Sequence, residues 1–316
     1  MVDAPLPARA SPKRGAAGRF GLLGAVCLAL ALPGCSIKKL AINTLGDALA
    51  GTGSTFAADD DPELVAAAVP FGLKTIESLL AQSPNHKGLL LAACSGFTQY
   101  AYAFVQDPAD YVEAQDLEKA TAMRARAKKL YLRAVGYGFR GFEVEFPGFR
   151  EQLRKDPDAA LARVSKTQVP LLYYTAGAWA SAFALDITDS QLSVNQTAIE
   201  KMMGRALALD EAWGDGSIHD FFISWEAGHT SAGGTIEKAT EHYRRSRELA
   251  AGKRVSPLVT YAESVLVSQQ KKTEFEALLN EALKFDIDKA PPENKLANVL
   301  GLRRAAWLLS RVDELF

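Results

Sequence analysis

The chain has 316 residues, long enough to bury a sizeable core in one or two domains. Its 36 basic residues against 37 acidic ones leave a net charge of −1, with 48% hydrophobic and 23% charged residues. No basic excess exists to neutralise a phosphate backbone, so nucleic-acid binding is excluded as the main role.

The N-terminus carries the first signal. Arg9, Lys13, Arg14 and Arg19 precede an uncharged apolar run over residues 20–32, the order of a secretory signal peptide. That run is too short for a membrane span, which needs about 20 residues as a helix. Leu32, Pro33, Gly34 and Cys35 follow, and this tetrad resembles a bacterial lipobox, with Pro33 where a small or hydroxyl residue is usual. The resemblance implies acylation of Cys35 after removal of residues 1–34, and stable anchoring through more than one acyl chain. Ser36, in place of Asp, favours the outer membrane. An ordinary secretory signal with an incidental Cys35 is the alternative. With Cys27 and Cys35 so used, Cys94 is left as a buried small hydrophobe with no partner for a disulfide.

Residues 35–58 read as the lipidated Cys, a short helix over 37–50 and a tether, and residues 59–316 as one all-helical domain. Asp61 is a candidate N-cap, with Pro62 at the first helical position and Glu63 at the positive helix end. Val65, Val69, Ile76 and Leu80 form one apolar stripe, and Leu90, Cys94, Phe97 and Phe104 another. Ser83, Pro84 and Asn85 break between them, and Pro70 is expected to kink the first helix. A helix over 116–135 presents Arg124, Arg126, Lys128, Lys129 and Arg133 as a solvated basic face. Residues 136–155 look irregular, with 142–146 as an extended loop and a short helix after Pro147.

Residues 169–185 carry no formal charge, and their Gly, Ala, Ser and Thr suit a buried central helix of a soluble bundle. Further helices are expected over 217–227, 235–250, 256–267, 273–284 and 294–313. The segment ending at Asp210 is echoed about forty residues later by the helix holding Arg245 and Glu248. Such spacing suggests degenerate tetratricopeptide-like hairpins, whose period is about 34 residues. Hairpins of this kind bury their apolar faces by stacking and leave a surface or cavity for another molecule.

Motifs for chemistry are weak. Gly136, Gly138 and Gly141 form a literal G-x-G-x-x-G, but no strand precedes them and no βαβ pattern surrounds them. Of the four histidines His86, His219, His229 and His242, the pair His219 and His229 with Asp220 and Glu226 could suggest a metal site. The spacing matches no metal motif, so a structural role is expected, with no metal or cofactor. Carboxylates such as Asp210, Asp286 and Asp288 sit where helix ends need them, and none stands out as a raised-pKa acid. The aromatics Tyr173, Tyr174, Trp179 and Phe183, and Trp213, Phe221, Phe222 and Trp225, suit either a core or an apolar ligand cavity. Tyr173, Tyr174, Trp179, Trp213, His219, Phe222 and Trp225 are the candidate ligand or partner residues.

Several blocks together resemble the T-component lipoproteins of TRAP (tripartite ATP-independent periplasmic) transporters. They are Asp59–Leu64, Pro70–Lys74 with Glu77–Leu80, Tyr100–Gln106, Arg140–Phe142 with Pro147–Phe149, Gly233–Gly234 with Glu237–Ala239 and His242–Tyr243, and the tail from Leu296 through Trp307 to Phe316. Thr235 departs from the Asp common after the glycine pair. The resemblance runs in order from 37 to 316. It implies an all-α fold of stacked tetratricopeptide-like hairpins, a homotrimer with a pore or cavities, and association with the periplasmic solute-binding protein. The expected role is therefore a non-enzymatic, lipid-anchored periplasmic accessory protein that binds that subunit and a small hydrophobic or organic-acid ligand. The alternative is a tetratricopeptide-type scaffold lipoprotein for envelope protein assembly.

Overall fold

The computed structural model describes residues 1, 2, 4, 44–46, 53–230 and 233–316. The signal segment, Cys35 and most of the expected 37–50 helix lie outside the described residues. Among the described residues the secondary structure is helical throughout, with no strand.

Helix α1 (Pro62–Gln82) starts where the local chemistry dictates: the Asp61 carboxylate accepts the Leu64 N–H at 2.9 Å, and Pro62 occupies the first turn. The helix continues through Pro70. Its inward stripe of Val65, Leu73, Ile76 and Leu80 is buried, while Leu64 and Phe71 face outward. His86 caps α2 (Lys87–Ala101) by accepting the Leu89 N–H. That helix widens into a π turn, Tyr102–Gln106, before resuming as α3 (Asp107–Val112).

Helix α4 (Leu117–Glu145) is capped by Asp116 and runs ten residues further than the sequence reading allowed. Residues 136–145 are neither irregular nor extended. The glycines that suggested a break are contact points. A Cβ on Gly138 would lie 2.1 Å from Thr175 Oγ1, and one on Gly141 3.0 Å from Leu171, so both let the next long helix approach. Phe139 and Phe142 are buried on the same side. Glu143, expected in an extended loop, lies in α4 and accepts the N–H groups of Gly148 (2.7 Å) and Arg150 (2.8 Å), fixing the turn into α5 (Phe149–Lys155). The basic face of α4 is also more engaged than solvation implies. Arg124 pairs with Asp110 and Glu113, Lys128 with Asp186 and Asp189, and Arg133 with Glu77.

After α6 (Pro157–Ala162) comes the uncharged α7 (Val169–Ala184), packed against α2, α4 and α8 (Gln196–Leu209). Leu172, Thr175, Ala176, Ala178 and Ala182 are fully buried, so this is the central helix that its composition predicted. A tight turn leads to the hairpin of α9 (Ser217–Gly228) and α10 (Ile236–Ala250). Helix α11 (Ser256–Tyr261) passes into a second π turn, Ala262–Leu266, and α12 (Lys272–Ala282) and α13 (Lys295–Ser310) follow.

The largest core cluster spans α1 to α9, with Tyr131, Phe142, Phe149 and Met202 among its fully buried side chains. A second gathers Phe275, Leu279 and Leu308 between α12 and α13, and Ile223, Ala239 and Val265 form a third. Helix α13 also returns to α1, where Arg303 holds Glu63 (3.0 Å) and Lys295 holds Asp60 (2.6 Å). The last long helix therefore meets the first.

Candidate functional site

Three sequence candidates converge. Tyr173 and Tyr174 on α7 meet Trp213, which follows α8: ring centroids lie 4.5 Å apart for Tyr173–Trp213, 5.2 Å for Tyr173–Tyr174 and 5.9 Å for Tyr174–Trp213. Burial pushes both phenols up to about 12. Neither hydroxyl meets a hydrogen-bond partner among the described residues, and neither is sealed from solvent.

Trp213 is held by an irregular turn. Gly214, Asp215 and Gly216 all have positive φ (59°, 52° and 91°), a region Gly enters freely and Asp tolerates. Arg254 fixes it from below, donating to the carbonyls of Gly214 (3.1 Å) and Asp215 (2.7 Å) and to Ser256 Oγ (2.7 Å). Asp220 supplies the counter-charge for this buried guanidinium and accepts from Ser256 at 2.8 Å. The Arg254 charge is felt at the Tyr173 hydroxyl.

Tyr102 is the first residue of the π turn after α2. Its side chain combines two properties that rarely coincide. The residue is 52% exposed, yet crowding raises its phenol well above the ordinary value, followed by the charges of Asp107 and Glu263. Tyr131 donates to Gln106 Oε1 at 2.6 Å across the π turn.

Beside Tyr102 lies a polar node absent from the sequence reading. Arg304 of α13 donates to Asp107 (3.1 Å), contacts Asp110 at 3.0 Å and pairs with Glu263 of the second π turn. Its guanidinium lies 4.4 Å above the Trp307 ring. The Tyr111 hydroxyl donates to Asp107 at 2.5 Å. Burial raises the Asp107 carboxyl above its usual value against the pull of Tyr111 and Arg304, so a raised-pKa acid does exist here. The local sequence held one hint: Pro108 has no N–H to offer the preceding turn, and the π turn ends beside it.

A second locus opens on α9 and α10. His219 Nδ1 lies 2.7 Å from His242 Nδ1, and His219 Nε2 lies 3.2 Å from Glu211, which Arg245 grips at 2.7 Å through two nitrogens. With His219 donating from Nε2 to the carboxylate, its Nδ1 accepts from His242. Burial lowers the basicity of both imidazoles, that of His242 to about 4, and Arg245 holds Glu211 at about 2. These residues line a hollow of about 320 Å³ with Glu241, Arg244 and Glu248. Behind it, Phe222 stacks on His242 (4.8 Å), and Trp225 stacks on His229 (3.8 Å) and Phe221 (5.4 Å). Among the described residues no group of three or more His, Cys, Asp or Glu side chains is placed to hold a metal ion.

Residues 58–316 match the sequence model of the TRAP transporter T-component. The chain belongs to that family. A similar protein from Treponema pallidum (strain Nichols), described as an uncharacterized protein, is 32% identical over 311 residues, covering 92% of this chain and 95% of its own length. T-components are accessory parts of a transport system that works at the membrane or in the periplasm.

In this T-component the sequence candidates divide. Tyr173, Tyr174 and Trp213 form one aromatic cluster. Trp179 is a core residue, 8% exposed and edge-on to Phe139 at 5.2 Å. His219, Phe222 and Trp225 belong to the second locus, where His219 is partnered by His242 and not by His229. His229 instead turns its Nδ1 back to the Trp225 carbonyl at 2.9 Å, the same carbonyl that accepts the His229 backbone N–H at the end of α9. Cys94 is fully buried against Thr175, and burial pushes its thiol up to about 12.

Proposed function

We propose that this T-component is a non-enzymatic accessory lipoprotein of a TRAP transport system, holding a small ligand with an apolar body against Tyr173, Tyr174 and Trp213. The observation that carries this reading is the ring cluster of Tyr173, Tyr174 and Trp213, whose two tyrosine hydroxyls meet no hydrogen-bond partner among the described residues. Unpartnered hydroxyls on an apolar aromatic wall are what a site offers a ligand that is mostly apolar with one polar end.

In this reading the consecutive hairpins stack as a tetratricopeptide-like solenoid, closed by the contact of α13 with α1. Cys35 carries the lipid that holds the protein to the outer membrane, on its periplasmic side. The working form is a homotrimer, and the periplasmic solute-binding subunit docks on it to exchange ligand.

Native mass spectrometry of the purified full-length chain tests the site, with a small molecule expected bound and lost on Tyr174→Trp while the helical content stays unchanged. Absence of any bound molecule, together with no uptake of aromatic probes, would remove the reading. Recovery of a solute-binding protein from solubilised membranes tests the partner, and release of Cys35→Ala into the soluble fraction tests the anchor.

One observation favours the second reading, a scaffold for envelope protein assembly. Leu64 (58% exposed) and Phe71 (79%) lie seven residues apart on α1 and present an apolar surface suited to a protein. Photo-crosslinking from position 71 separates the two: a solute-binding protein supports transport, and outer-membrane assembly factors support the scaffold.

A further inference from the structure

The histidine pair of α9 and α10 plays no part in the reading above. His219 Nδ1 and His242 Nδ1 stand 2.7 Å apart, a hydrogen-bond distance, so one proton lies between them and one of the two nitrogens presents a lone pair. On its other side His219 Nε2 reaches Glu211 at 3.2 Å, and Arg245 fixes that carboxylate through two nitrogens, each at 2.7 Å. The carboxylate accepts from the Nε2 N–H, which leaves His219 Nδ1 as the bare nitrogen. A buried imidazole that gives one N–H to an anchored carboxylate and turns its other nitrogen toward a second imidazole has the supporting arrangement of a metal-ligating histidine.

The second imidazole is held less tightly. Phe222 stacks on the His242 ring at 4.8 Å, and the half-buried residue lines the hollow of about 320 Å³. Two nitrogens bound to zinc at about 2.0–2.1 Å in a tetrahedron lie roughly 3.3 Å apart. His242 therefore has to swing outward by only about half an ångström. Its Nδ1 proton passes through water to Nε2, which meets no protein partner among the described residues, so both rings stay neutral. Three carboxylates and two guanidiniums line the hollow, a balance that favours a cation. Among the described residues no third donor is already in place. The open positions fall to water and to Glu241, an exposed carboxylate of the same hollow that makes no ion pair among the described residues.

We propose that His219 and His242 form a two-imidazole site for a divalent transition-metal ion of the zinc and copper(II) class, with Glu211 orienting His219 and with Glu241 and water completing the coordination. Imidazole nitrogen suits these ions, whereas calcium and magnesium take oxygen ligands. Two fixed nitrogens with exchangeable oxygens make an open site, able to take up and release its ion.

Titration calorimetry of the tag-free full-length chain with zinc chloride at pH 7 tests the site, with calcium chloride as the control. One zinc ion per chain is expected, and no calcium. Glu211→Gln is expected to weaken zinc binding roughly tenfold or more. His219→Gln and His242→Gln should weaken it at least as much, and His229→Gln should leave it unchanged. Copper(II) supplies a readout that a folding defect does not imitate: electron paramagnetic resonance of the unaltered chain should show coupling to two imidazole nitrogens. If the histidine variants lose helical content, that spectrum decides alone. Zinc uptake that survives His242→Gln, uptake lost with His229→Gln, or a copper spectrum with oxygen ligands only overturns the assignment, as does no zinc uptake at all. Each of these failures leaves the reading of Tyr173, Tyr174 and Trp213 as a ligand site where it stood.

Discussion

Gly138→Ala probes the packing of α4 against α7. Gly138 lies where α4 crosses α7, and an added Cβ would meet Thr175 Oγ1 at 2.1 Å and its Cβ and Cγ2 each at 2.9 Å. Thr175 is fully buried, with Cys94 of α2 against its hydroxyl at 3.6 Å, so three helices must give way together. Alanine gains about 1 kcal/mol over glycine in a helix interior, while overpacking of a close-packed core costs about 1–3 kcal/mol. With the whole Thr side chain in the way, the upper end applies and the net loss is about 1–2 kcal/mol. Gly136 on α4 and Gly177 on α7 have no atom within 4 Å of the same added Cβ. Alanine there is expected to stabilise by about 1 kcal/mol. Urea unfolding followed by circular dichroism measures all three. Adding Thr175→Ala to Gly138→Ala should recover part of the loss, with a coupling of about 1 kcal/mol. A Gly138→Ala protein as stable as its Gly136→Ala counterpart would refute the packing argument.

Other expectations follow from the buried polar groups. His219 and His242 are held neutral by burial, His242 at about 4 against an ordinary 6.5, so the unfolded chain binds more protons between those values. Their contribution to stability is complete above pH 6.5 and falls as the pH drops toward 4; urea midpoints across this range should show it, and His242→Phe should shrink it. Asp220→Ala leaves Arg254 buried without its counter-charge and is expected to cost about 3–5 kcal/mol in the same assay, with the near-ultraviolet signal changing as the turn beside Trp213 loosens. Cys94, its thiol pushed up to about 12, should resist iodoacetamide in the folded protein and react on unfolding; rapid labelling at neutral pH in buffer would contradict its burial.

The local rules were legible in the sequence. Asp61, Asp116 and Thr235 cap the helices they precede, and the uncharged run became the central helix α7. The error over residues 136–145 came from treating glycine as a breaker, when Gly138 and Gly141 serve contact with α7, a helix thirty residues away that spacing alone does not reveal. The site shows the same division. Tyr173, Tyr174 and Trp213 stood out as aromatics, but Tyr102, Asp107, Glu263 and Arg304 did not. Arg304 and Asp107 are 197 residues apart and meet only because α13 folds back across the bundle. His219 suggested His229 by proximity in sequence, whereas the hairpin of α9 and α10 pairs it with His242.

The irregular backbone points to where function resides. Hairpins that stack by local contacts need only regular helices, yet this chain departs from regularity at the two π turns and at the left-handed turn after Trp213. The left-handed turn costs of order 1–3 kcal/mol and persists only where the surroundings over-determine it. Two engaged arginines hold the departures, Arg304 linking both π turns and Arg254 holding the left-handed one. The three departures carry Tyr102, Glu263 and Trp213. A core chosen only for stability would have replaced these charged clamps by apolar contacts at little loss. Charged clamps at all three departures are more than helix stacking alone requires.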